Sequence, residues 1–278
     1  MKPTLGTYGI VLLFSICFKG SSALSLSPAD SMKTKTFVIR CYIQLLNSKP
    51  SQKHVEQICG SFNLFSSFQQ NKARFIDSLI NSPEFYHSLC ELYRNEYLQG
   101  ATMQQIYQGI TDYKVLLAIQ TQSDFHDQFS ANLDKLNKLI ATEHDLLSGE
   151  IDIPHAQMRF LNNRLYDDLN MGTENMVYSA FNYLLFRAPT AYELQEGEKM
   201  VEGRPGVVLL KKGASKEDYL EVLFGSTAYK EGTIRYWYNK LLNREPNEQE
   251  TYNLLTQHNF SIKSLIKELI LNPEFSGL

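Results

Sequence analysis

Three stretches of this chain repeat one spacing: an aromatic residue, two others, Leu-Leu, three others, then proline. They are Tyr42…Leu45-Leu46…Pro50, Phe181…Leu184-Leu185…Pro189 and Tyr238…Leu241-Leu242…Pro246. Each is followed by an apolar stretch of helical period that closes on a second signature. The closures are Ser82-Pro83-Glu84-Phe85, Ser226-Thr227-Ala228-Tyr229 and Asn272-Pro273-Glu274-Phe275. Agreement at several fixed offsets marks an internal repeat, and a repeat built of helix pairs directs the chain to an all-α fold of units packed antiparallel.

The physics of each unit is legible. Ile234, Trp237, Tyr238, Leu241 and Leu242 fall at i, i+3, i+4, i+7 and i+8, one apolar helical face. The same register holds Val38, Cys41, Tyr42, Leu45 and Leu46 in the first copy, and Val177, Ala180, Phe181, Leu184 and Leu185 in the second. Proline then ends the helix, because the residue before it avoids the α region. Ser51, Thr190 and Asn247 follow the prolines as N-caps, and Glu193 and Glu250 complete capping boxes in two copies. Ser82 and Asn272 precede prolines placed at a first helical position.

Between the copies, residues 98–172 read as a diverged helical connector. Val115-Leu116-Leu117-Ala118-Ile119 leading to Ser123-Asp124-Phe125 resembles a worn second half of a unit. Asp134 to Leu147 reads as one helix ended by Ser148-Gly149, and Pro154 to Leu169 as another. The resulting division is a signal peptide over 1–23, a first unit over 24–97, the connector, and two units over 173–278.

Strand signals are sparse. The second copy carries 11 more residues than the third between its proline and its closing aromatic, and they fall near 203–213. There Val207-Val208-Leu209-Leu210 lies between Gly203-Arg204-Pro205-Gly206 and Lys211-Lys212-Gly213, a short hairpin or loop insertion. Two readings stand level: an interface, with Val207, Val208, Leu209, Leu210, Lys211 and Lys212 facing a partner, or a loop folded onto its own core.

Leu-Asn-Arg-Glu-Pro (242–246), Leu-Phe-Arg-Ala-Pro (185–189) and Phe-Ile-Asp-Ser-Leu-Ile-Asn-Ser-Pro-Glu-Phe (75–85) carry a family likeness. Over residues 35–97 and 173–278 the chain resembles the helical domain of phycobilisome linker polypeptides and a related linker-like domain of secreted bacterial proteins. The resemblance implies an all-α fold and a scaffold-like role. It departs from the pattern in Leu-Asn-Ser-Lys-Pro (46–50), which lacks the arginine, and in its acidic charge. The shared motifs are turns and caps, which specify fold better than function.

The first residues read as an address. Lys2, the apolar run Ile10–Phe18, and Ser21 and Ala23 before Leu24 form the three-part layout of a secretory signal peptide cleaved near Ala23. The run is too short for a comfortable transmembrane span, and a lipoprotein site at Cys17 or a retained anchor stands as the alternative to cleavage. Export points to the periplasm or the extracellular space. The chain has 27 basic against 30 acidic residues, two of the lysines lie in the leader, and no basic block marks a nucleic-acid partner. Cys41, Cys59 and Cys90 remain beyond Cys17, an odd count that leaves at least one thiol unpaired within the chain.

No catalytic, cofactor or metal motif emerges. Glu143-His144-Asp145 with Glu150, Asp152 and His155 is the densest set of ligand types, but its spacing fits neither a zinc helix nor a calcium loop. His54, His87, His126 and His258 accompany no nucleophile pattern. Arg187 and Arg244 occupy one turn position, and read either as anion or partner contacts or as structural contacts to the last carbonyls of their helix near the capping-box glutamates. Tyr236, beside the core-facing Trp237 and Tyr238, is expected to point outward, either as an ordinary amphipathic surface tyrosine or as a partner or ligand contact. The reading that follows is a non-catalytic structural or adaptor protein of the bacterial cell envelope, a subunit of a larger envelope or secretion assembly. Its partners are then other envelope proteins, and a membrane surface is compatible. A glycan- or small-ligand-binding module and an unrecognised hydrolase are the rival readings.

Overall fold

The computed structural model describes residues 28–62, 67–119, 123–257 and 260–276. Residues 1–23, expected to form a signal peptide and including Cys17, lie outside the described residues, as does His258. The fold is all-α, with helices α1 to α15 and one two-stranded hairpin among the described residues. The first unit comprises α1 (Pro28–Leu46), α2 (Gln52–Phe62), α3 (Phe68–Ile80) and α4 (Pro83–Tyr97). The connector comprises α5 (Met103–Ile119), α6 (Ser123–Ser148), α7 (Ile153–Leu161) and α8 (Arg164–Leu169). Then come α9 (Thr173–Leu185), α10 (Ala191–Val201), β1 (Gly206–Val208), β2 (Lys211–Gly213) and α11 (Lys216–Phe224). Helices α12 (Thr227–Leu242), α13 (Glu248–Leu255), α14 (Ile262–Leu271) and α15 (Pro273–Ser276) complete the chain.

The sequence signatures act locally as their chemistry requires. Thr190 and Asn247 each accept the N–H of the glutamate three residues on, and that glutamate accepts the cap's own N–H. Ser51 accepts from His54, and Ser82 and Ser226 cap α4 and α12. The helices before the prolines stop earlier than the proline alone demands. Asn47, Phe186 and Asn243, each three residues before its proline, adopt positive φ of 47°, 53° and 58°. Asparagine suits this left-handed ending; phenylalanine occupies it at a steric cost.

The expected apolar faces form the core. Ile234, Trp237, Tyr238, Leu241 and Leu242 are buried, as are Val177, Ala180, Phe181, Leu184 and Leu185. In the first copy Val38, Cys41, Leu45 and Leu46 are buried, with Tyr42 half-buried against them. Helices α9 and α12 cross so closely that a Cβ on Gly232 would sit 2.4 Å from the Leu184 carbonyl oxygen. Only glycine fits that crossing.

The first unit packs directly against the last. The Phe37 and Phe275 rings meet edge to face with centroids 6.1 Å apart, and the Arg40 guanidinium lies over Phe275. Arg40 also donates to the Leu241 carbonyl, and Lys267 pairs with Asp77 at 2.7 Å. One expected helix divides: residues 154–169 form α7 and α8, because the buried Asn163 amide donates to the Arg159 and Phe160 carbonyls while its oxygen caps α8. A side chain that satisfies both helix ends favours a break over continuation.

Candidate partner-binding surface

The 203–213 insertion is a hairpin, and it belongs to the core. Val208 is fully buried and Val207 and Leu209 are half-buried, so of the two readings the loop folded onto its own core holds for these three, and the reading in which they face a partner is corrected. The hairpin is held on α10. The Val207 N–H donates to Glu196 Oε2 at 2.9 Å, and a Cβ on Gly206 would sit 2.5 Å from the Glu196 carbonyl oxygen. Burial of the valines offsets the cost of ordering the loop. Of the six residues expected as partner contacts there, only Leu210, Lys211 and Lys212 are exposed, and Lys211 reaches the Gly225 carbonyl at 3.3 Å. Leu210 is 97 % exposed on the turn.

Tyr236 also departs from expectation. It is half-buried, its ring packs on Trp237 and Phe186, and its hydroxyl donates to Glu96 Oε1 at 3.0 Å. The helical rotation correctly separates Tyr236 from the Trp237 face. What it omits is α4, which arrives from 140 positions earlier and covers that side. Burial raises the Glu96 carboxyl above the ordinary glutamate range, with the Tyr236 hydrogen bond opposing.

Arg187 and Arg244 are structural clamps. Arg187 grips Glu193 through both terminal nitrogens at 2.8 and 2.6 Å and lies over the Phe181 ring. Arg244 does the same to Glu250 at 2.8 and 2.7 Å over Tyr238, and adds two bonds to Glu274. These contacts tie the helix end to the cap of the next helix, a geometry suited to guanidinium and carboxylate.

The acidic cluster disperses into pairs. Asp145 is held by Arg159 at 2.6 Å, Glu143 faces His87 at 3.0 Å, and Asp152 caps α7 beside His155. Among the described residues no three metal-ligating side chains converge. Cys41, Cys59 and Cys90 are free thiols, and burial raises the pKa of each, that of Cys90 to about 12. A thiol held protonated is a poor nucleophile.

The surface that stands out is one the sequence reading did not select. Helices α5 and α6 form an arm. Thr102 and Gln105 cap the start of α5 reciprocally, and Ile106 and Ile110 bury themselves against α6. The second half of α6 is anchored to the body by Lys135–Glu217, Arg159–Asp145 and His87–Glu143. Helix α5 packs chiefly against α6. Toward the far end the Tyr113, Phe129 and Phe125 rings line up with centroids about 6 Å apart. At that end Phe125, with Val115, Leu116 and Ile119, stands exposed, Ile119 at 72 %. These residues belong to the last turn and a half of α5 and the first turn of α6. Their sequence signal was the apolar run 115–119, more apolar residues than one covered helix face can take. Among the described residues no helix is long and apolar enough to cross a membrane.

No protein-family model, curated protein or solved structure matches the chain.

Proposed function

We propose that this protein is a non-catalytic adaptor of the bacterial cell envelope that engages another envelope protein through the tip of the α5–α6 arm. The observation that carries the reading is the exposure of Val115, Leu116, Ile119 and Phe125 at the end of an arm whose base is pinned by ion pairs. Large apolar side chains gathered at one exposed place mark interaction surfaces. Each one fully buried on docking contributes about 1.5–3 kcal/mol, enough for a few such anchors to drive association. The envelope location rests on the leader pattern of residues 1–23, and the scaffold-like role also accords with the linker-like repeat motifs.

The test is site-specific photocrosslinking in intact cells. A crosslinker at Ile119 or Phe125 is expected to give one discrete adduct, and one at Tyr192, exposed elsewhere, none. Leu116→Glu with Val115→Lys should abolish the adduct while the melting temperature holds, since exposed positions tolerate substitution within about 0.5 kcal/mol. A native complex of unchanged size in that variant sinks the proposal.

A further inference from the structure

The three parts of the chain meet around a cavity of about 390 Å³. Tyr86 of α4 comes from the first unit, Leu146 to Pro154 from the connector, and Phe224, Tyr229 and Phe260 to Lys263 from the last units. Most of the wall is apolar: Leu146, Ile153, Phe224, Tyr229, Phe260 and Ile262. An apolar cavity of about 150 Å³ holds benzene, so this one, about two and a half times as large, has room for a longer apolar group. It also falls in the range usual for small-molecule sites.

Its polar groups carry an unbalanced charge. The Lys263 ammonium donates to Asn81 Oδ1 at 2.8 Å and to the Tyr86 hydroxyl, both neutral. Lys230 lies 5.9 Å from the Phe260 ring centroid. Neither lysine forms an ion pair among the described residues. The one carboxylate on the lining, Asp152, is already engaged by the His155 backbone N–H and side chain as the cap of α7. Two lysines against one already engaged carboxylate, on a lining that is mostly apolar, are matched by a molecule with an anionic head and an apolar body.

We propose that this cavity binds an amphiphilic carboxylate of medium chain length, its carboxylate between Lys230 and Lys263 and its chain against Phe224, Tyr229 and Ile262. The bound molecule bridges the first unit, the connector and the last units, so occupancy stabilises their junction. This activity is separate from the arm, and its test does not depend on any partner.

The experiment is calorimetric titration of the purified protein with hexanoate, octanoate, decanoate and dodecanoate below their micellar concentrations, with decanol as the neutral comparison. Affinity is expected to rise about fourfold per added methylene until the cavity fills, then level off. Lys230→Gln and Lys263→Met should each weaken decanoate about tenfold and leave decanol unchanged. Lys263 also holds Tyr86 and Asn81, so Lys230→Gln, at an exposed position, decides the point if the other variant does not fold. Ile151→Trp, which enlarges a side chain on the lining, should abolish binding, and decanoate should raise the melting temperature of the unaltered protein. No binding by any acid, equal binding of decanoate and decanol, or unchanged binding in Ile151→Trp overturns the proposal.

Discussion

The Tyr42 hydroxyl lies 2.7 Å from His54 Nε2, one hydrogen bond between two positions that the other repeats use differently. In the second and third copies those positions are Phe181 and Glu193, and Tyr238 and Glu250, with an arginine laid over the ring and clamped to the carboxylate. The first copy has Ser48 where the arginine would stand. Tyrosine and histidine then close the same turn directly. The geometry of the turn outlasts the charge that usually holds it.

That comparison yields a ranking. Arg244→Ala should cost about 1–2 kcal/mol and Arg187→Ala about 1, the ordinary worth of charged hydrogen bonds reduced for partial exposure. Arg244 is the costlier because it alone also holds Glu274. Urea denaturation of both variants checks the order, and equal losses count against it.

The same clamps set an acid limb. Hydrogen bonds from Arg187 and Arg244 hold the Glu193 and Glu250 carboxyls at about 2, below the ordinary 4.5. A carboxyl whose folded pKa is depressed stabilises the fold fully above its unfolded value, and that contribution drains away as pH falls through the folded one. Stability should therefore decline between about pH 4.5 and pH 2, and less steeply in a Glu193→Gln, Glu250→Gln double variant. Parallel curves for the two proteins contradict the assignment.

The hairpin on α10 should behave as core. Replacing residues 204–212 with a Gly/Ser linker is expected to lower the melting temperature by several degrees, and Val208→Ala to cost about 2 kcal/mol. Leu210 gives the opposite sign. It sits at φ 64° with its side chain in solvent, so Leu210→Gly relieves a left-handed strain of about 1 kcal/mol and should stabilise the protein. Thermal unfolding separates the three cases.

Gln157 joins helices through two tyrosines: its amide donates to the Tyr97 hydroxyl, and its oxygen accepts from the Tyr229 hydroxyl at 2.8 Å. All three side chains are buried. Gln157→Leu keeps the volume but strips both tyrosines of this partner, and should cost about 1–3 kcal/mol per polar group left unpaired. A loss below 0.5 kcal/mol in denaturant titration refutes the network's importance.

Chain-local chemistry was legible before any fold was known. Thr190, Asn247 and Ser82 act on N–H groups within one turn of themselves, so their roles follow from spacing alone. The face Ile234–Trp237–Tyr238–Leu241 follows likewise from helical rotation. Even the stop before each proline was readable, though its left-handed residue was not, because Phe186 has no local preference for that conformation. Other features depended on what arrives from afar. Tyr236 is covered because α4 brings Glu96 to it, and Val208 is buried because Gly206 lets the hairpin close directly onto α10. The arm tip and the cavity are likewise outcomes of which neighbours come near. Periodicity names the face a residue occupies, but whether that face meets water or another helix is decided by packing between segments far apart in the chain.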